Sequence, residues 1–176
     1  MGRFVALYRG INVGGHHPVR MGSLRAMHER LGHRDVASYV QSGNVVFSTR
    51  ESAASIARRI APEFAGQFGF AARVIVIGAE RWRAVVHDNP FAAFSAKDPR
   101  TVHVAFGDTG PDAKGLMALH QRTGGSERIV TKANVIYLHA PDGFGTSKFA
   151  AGMEKACGVP ITVRNWRTVE SLLEML

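Results

Sequence analysis

The segment Tyr39-Val-Gln-Ser-Gly-Asn44-Val-Val-Phe47 returns, altered, as Ile129-Val-Thr-Lys-Ala-Asn134-Val-Ile-Tyr137. Each copy joins two β-rich runs at a tight corner, Ser-Gly-Asn in one and Lys-Ala-Asn in the other. The asparagines, at 44 and 134, stand 90 positions apart. A second pair, Phe68-Gly69-Phe70-Ala-Ala-Arg-Val74 and Cys157-Gly158-Val159-Pro-Ile-Thr-Val163, has its glycines at 69 and 158, 89 apart. A displacement held this constant over two separate matches points to one small unit used twice, the reading that most limits the possible folds.

Hydrophobic periodicity gives both copies the same element order. In the first, Phe4–Tyr8 is apolar on both alternations, as in a strand covered on both faces. Leu24, Met27 and Leu31 mark a helical face with Gly32 after it. Val36–Gln41 and Asn44–Ser48 read as a hairpin turning at Ser42-Gly43. Ile56, Ile60, Phe64 and Phe68 mark a second helix that Pro62 should bend or interrupt, and Ala72–Ile77 a further strand. The second copy reads alike: a strand at 101–106, a helix at 111–120 with Pro111 near its first turn, and a hairpin at 129–139. Phe149, Met153 and Ala156/Cys157 then mark a helix opened by Thr146/Ser147 and closed by Gly158, and Ile161–Val163 a strand.

This order is βαββαβ twice over. The expected fold class is therefore α+β: a tandem duplication of a ferredoxin-like unit forming one compact, pseudo-symmetric body. The first unit should occupy residues 1–78 and the second 101–164. Residues 79–100 should form a bridging helix around Trp82, Val85 and Val86 and then a linker, Phe91–Arg100. Residues 165–176 should form an added helix capped by Asn165, with Trp166, Val169, Leu172, Leu173 and Leu176 buried along one stripe.

The formal charge of +8 is uneven. Residues 1–100 hold 14 Lys or Arg against 7 Asp or Glu, whereas residues 101–176 hold 8 against 7. A basic half favours an anionic partner through long-range attraction, although arginine-rich usage also arises from GC-rich coding. Arg9 cuts the first apolar run short of a signal-peptide core, and no apolar segment approaches the ~20 residues of a membrane helix. With a single cysteine, Cys157, these features suit a cytoplasmic protein with no membrane partner. The eight histidines show no metal-ligand spacing, so no metal site is expected, and no fingerprint of a nucleotide cofactor occurs.

The most unusual stretch is Arg9-Gly10-Ile11-Asn12-Val13-Gly14-Gly15-His16-His17. Paired glycines let backbone amides turn toward an anion, and Arg9 supplies charge beside them. Candidate ligand-binding residues are Arg9, Asn12, Gly14 and Gly15, with Gln41, Ser42 and Asn44 as polar groups from the hairpin corner. Lys148 and Arg164 stand beside the free amides of two helices, where cations help to hold an anion. Each is also accounted for by ordinary turns or solvated surface. Asn44-Val-Val-Phe47 lacks the aromatic platform of an RNA-recognition strand.

Several of these motifs coincide with one family. Tyr8-Arg-Gly-Ile-Asn-Val-Gly-Gly15, Met21-x-x-Leu24-Arg25, Tyr39–Phe47, Asn89-Pro90-Phe91, Ser147-Lys148 and Thr162–Trp166 resemble the bacterial family known as domain of unknown function 1697. The resemblance implies a duplicated ferredoxin-like fold and implies no reaction. Two departures stand out: Thr146 where arginine is common, which weakens a basic cluster at Lys148, and Tyr8 where leucine is common. The functional expectation is a binding module for a nucleotide, phosphorylated metabolite or nucleic acid. Two rivals stand beside it, a small enzyme using His16 or His17 as acid or base and an interaction module with no ligand.

Overall fold

The first apolar run forms a strand, β1 (Gly2–Tyr8), at the centre of an antiparallel sheet. The computed structural model describes residues 1–176 and divides them into two units, 1–84 with 171–176, and 85–170. In the first unit β1 is followed by α1 (Met21–Arg30), β2 (Arg34–Tyr39), β3 (Asn44–Thr49), α2 (Ala53–Phe68) and β4 (Val74–Gly78), and α3 (Ala79–His87) starts there. The sheet order is β2-β3-β1-β4, with Phe4 opposite both Phe47 and Gly78. One face, carrying Ala6, Tyr8, Val45 and Phe47, packs on Leu24 and Met27 of α1 and Ile56, Ile60 and Phe64 of α2. On the other face Val5, Leu7 and Val46 are also fully buried, as the doubly apolar alternation requires.

The second unit contains α4 (Ala92–Lys97), β5 (Val102–Gly107), α5 (Ala113–Thr123), β6 (Arg128–Lys132), β7 (Val135–His139), α6 (Lys148–Cys157) and β8 (Ile161–Asn165), and α7 (Trp166–Glu174) begins there. Its sheet runs β6-β7-β5-β8, again fully antiparallel. Ala105, Ile136 and Leu138 pack on Leu116 and Leu119 of α5 and on Phe149, Met153 and Cys157 of α6. Each fully buried side chain of this size contributes about 1.5–3 kcal/mol. The fold is α+β with two four-stranded sheets, and no helix is long and apolar enough to cross a membrane.

Several local expectations are corrected. Helix α2 runs unbroken through Pro62, because Pro62 and Arg58 lie on its exposed side, where the carbonyl that loses its donor meets water. Pro111 precedes its helix: the N-cap is Asp112, whose carboxylate accepts from the amides of Lys114 at 3.0 Å and Gly115 at 3.1 Å. The stretch read as a linker contains a short helix, α4. Asn89 Oδ1 accepts from the Phe91 amide at 2.9 Å, and the Asn89 amide donates to Ser95 Oγ at 3.1 Å. Along α7, Trp166, Val169 and Leu172 are buried but Leu173 and Leu176 only half-buried, a narrower stripe than expected. Asn165 does cap it, accepting from the Thr168 amide at 2.9 Å.

The echoed corners share a backbone conformation. Gly43 has φ +75° and Ala133 φ +51°, while Gly69 and Gly158 close α2 and α6 at φ +76° and +69°. Packing separates the two corners. A Cβ on Gly43 would sit 2.7 Å from both Tyr8 Cβ and Ile11 Cδ1. Gly43→Ala is thus expected to cost more than about 2 kcal/mol, from left-handed strain plus overpacking. Ala133→Gly should change stability by less than about 1 kcal/mol. Urea denaturation of the two variants checks this, and equal effects would show that the Gly43 corner is not crowded.

Candidate functional site

Three loops of the first unit meet beyond the end of β1. The segment 9–20 forms a miniature hairpin: the Asn12 amide donates to the His17 carbonyl at 3.1 Å and the His16 amide to the Val13 carbonyl at 3.0 Å. Gly14 and Gly15, at φ +58° and +78°, make its exposed two-residue tip. The Arg9 amide donates to the Arg73 carbonyl at 2.9 Å, drawing in the loop 69–73. The Asn12 side chain donates to the Gln41 carbonyl at 2.7 Å, drawing in the corner 40–43. His17 stacks on Phe70 with ring centroids 4.3 Å apart.

These loops carry Arg9, Arg20, Arg73, His16 and His17, all exposed, and not one carboxylate. Val13 and Val40 are exposed on them too, at 63% and 52%. Without a carboxylate in these loops, a bound anion meets no like charge from them. Both rings are solvent-exposed, and that of His17 is held against Phe70.

The other expected site residues divide by role. Asn12 also accepts from the Val19 amide at 2.7 Å and donates to the Val19 carbonyl at 2.9 Å, so its side chain is consumed in shaping the loop. Asn44 is fully buried and donates to the Tyr39 carbonyl at 3.0 Å and to Ser42 Oγ at 2.9 Å, which holds the hairpin corner. Gln41 is exposed beside them.

In the second unit, Lys148 is exposed at the start of α6, on a cleft of about 280 Å³ that also holds Glu127 and Asp142. There Ser147 donates to the Glu127 carboxylate and accepts from the Ala150 amide at 3.0 Å. Two carboxylates offset the single amine. Arg164 lies in β8, buried, with Nη1 donating to Thr162 Oγ1 and the Val163 carbonyl, both at 2.8 Å. Burial lowers its pKa to about 10, which leaves it charged at neutral pH.

Beneath the loop end runs a polar chain that sequence spacing did not reveal. Tyr8 Oη lies 2.8 Å from His28 Nε2, and His28 Nδ1 lies 3.0 Å from His33 Nδ1. Two facing Nδ1 atoms of neutral rings share one proton, one donating and the other accepting. His33 Nε2 remains buried with no partner. Burial, reinforced by His33, lowers the His28 pKa to about 3. The His33 pKa is lowered by burial, opposed by Glu51 and aided by Arg59, while burial raises that of Tyr8. The tyrosine at position 8 thus has a polar partner inside the core.

The model of the family described as protein of unknown function (DUF1697) matches residues 1–137. The chain belongs to this family. The DUF1697 match stops before Ser147-Lys148 and Thr162–Trp166, so those motifs lie outside it. A search of curated proteins found no match. Among solved structures, the conserved bacterial protein SP0830 from Streptococcus pneumoniae is similar with a TM-score of 0.76 at 24% identity. The similarity covers 99% of this chain and 98% of that one, and at this identity it speaks to the fold.

The buried imidazoles give this DUF1697 protein a pH dependence. Their folded pKa values lie below the unfolded value near 6.5, so their contribution is fully present above that pH. It is lost as pH falls toward about 3, the folded value of His28. Between pH 6.5 and 5 unfolding free energy should fall by up to about 1.4 kcal/mol per pH unit for His28, and His33 should add to the decline in the same direction. Part of this decline belongs to His103, stacked on Phe144 and lowered by burial to about 4. Urea denaturation across this range should show the fall, and the double variant His28→Leu/His33→Phe should reduce its slope. A flat profile in the wild type would contradict the assignment.

Proposed function

We propose that this chain is a binding module for an anionic ligand, held at the loop end of the first unit. The carrying observation is the convergence of three loops that bring Arg9, Arg20 and Arg73 together with no carboxylate among them. The charges lie on exposed loops, an arrangement that favours an extended polyanion, single-stranded nucleic acid, over a metabolite enclosed in a pocket. The amides of Gly14 and Gly15 at the hairpin tip would add donors to phosphate oxygens. Contacts of this kind follow the backbone, and they fit a chain without an aromatic platform on β3. We further propose that residues 1–78 and 101–164 are two copies of a ferredoxin-like unit, in a cytoplasmic protein. The common strand order and the shared conformation at Gly43 and Ala133 support the duplication.

The test is fluorescence anisotropy with a labelled single-stranded oligonucleotide at several salt concentrations. Three neutralised phosphates should give a slope of log K against log salt of about −2, and Arg9→Gln or Arg73→Gln should each reduce its magnitude by about 0.7. No binding at low salt, or binding indifferent to both substitutions, would remove the reading.

A further inference from the structure

At the opposite end of β1 the first unit has a cleft of about 500 Å³, a size usual for small-molecule sites. Its walls carry three guanidinium groups, Arg3, Arg81 and Arg83, with one side-chain carboxylate, Glu80, and Leu176. Arg3 is held from behind: Nη2 donates to the Met175 carbonyl, Nη1 to Ser48 Oγ at 3.4 Å, and Asp35 stands 4.0 Å from Nη1. Its Nε is buried and has no acceptor. A buried donor of this kind costs about 1–3 kcal/mol when left unmade, and the Arg3 side chain that carries it lines the cleft.

The aromatic wall is Phe4. Gly2 precedes it by two residues and Gly78 lies opposite it across the β1–β4 ladder. A Cβ on Gly2 would come within 3.1 Å of Phe4 Cε2, and one on Gly78 within 3.7 Å of Cε1. A side chain at either position would lie against the ring, and both glycines line the same cleft. The pairing of bare glycines with a half-buried ring leaves aromatic surface beside the arginines, where a planar group can stack.

We infer that this cleft binds a nucleoside monophosphate or an organic phosphate of that class. Arg3 and Arg83 receive the phosphate, and Phe4 receives the planar body. Arginine suits this task because its planar donors match phosphate oxygens. The site is separate from the loop end, and its test does not depend on nucleic-acid binding.

The experiment is calorimetric titration of the full chain with AMP, GMP, CMP and UMP, and with adenosine and inorganic phosphate as parts of the ligand. At least one nucleotide should bind, and adenosine and phosphate should each bind about tenfold or more weaker. Arg83→Gln, an exposed position that leaves the fold intact, should weaken the nucleotide by about tenfold, and Arg3→Gln by as much or more. The double variant Arg9→Gln/Arg73→Gln should leave this affinity unchanged. The inference is overturned if no nucleotide binds, if phosphate alone binds as tightly, or if Arg83→Gln has no effect. It is overturned equally if the loop-end double variant abolishes binding.

Discussion

The Asn12 side chain gives one amide hydrogen to the Val19 carbonyl and the other to the Gln41 carbonyl, and takes the Val19 amide on its oxygen. These three bonds close the β1–α1 loop on itself and fasten it to the hairpin corner. Asn12 holds φ +55°, a conformation that asparagine tolerates better than most residues. Ile11, only 1% exposed, plugs the core beside it and against Gly43, whose missing Cβ makes the room. The exposed arginines can occupy one surface because this clasp fixes the loops that carry them.

The core below has its own unfavourable elements. A tyrosine and two histidines occupy positions that hydrocarbon could fill, and one imidazole nitrogen is left without a partner. Burying such groups costs free energy unless they bond to one another. The Tyr8–His28–His33 chain meets that condition except at its last atom. Gly32, at φ +82°, reverses the backbone after α1 and brings His33 back onto His28. In return the chain fixes α1 against β1 with directional bonds that apolar packing lacks.

The elements that the sequence made legible are those whose information is local. Phe4–Tyr8 showed a doubly covered strand because both alternations are apolar, and Asn165 showed a cap because capping reaches only three residues. Gly158 marked a helix end, and its echo Gly69 closes α2 in the corresponding place. What stayed hidden depends on contacts between distant residues. Asn12 looked like a ligand group because its partner at Gln41 lies 29 residues away. Arg164 looked like a cation ahead of a helix, yet it lies within β8, buried on the face opposite Ile161 and Val163. Helix α4 has too few residues for a periodic signal and depends on Asn89 and Phe91 to start it. The cleft at Arg3 draws its walls from residues 2–4, 78–81, 83 and 176, so no single motif announces it.

The most direct test of the account follows backbone amide chemical shifts while a short single-stranded oligonucleotide is added to the wild-type chain and to Asn12→Ala. The account predicts wild-type perturbations concentrated in residues 9–20, 40–43 and 69–73. In Asn12→Ala those perturbations should collapse while the β5–β8 resonances keep their positions. Perturbations centred on residues 123–148, or an Asn12→Ala chain that binds as the wild type does, would contradict it.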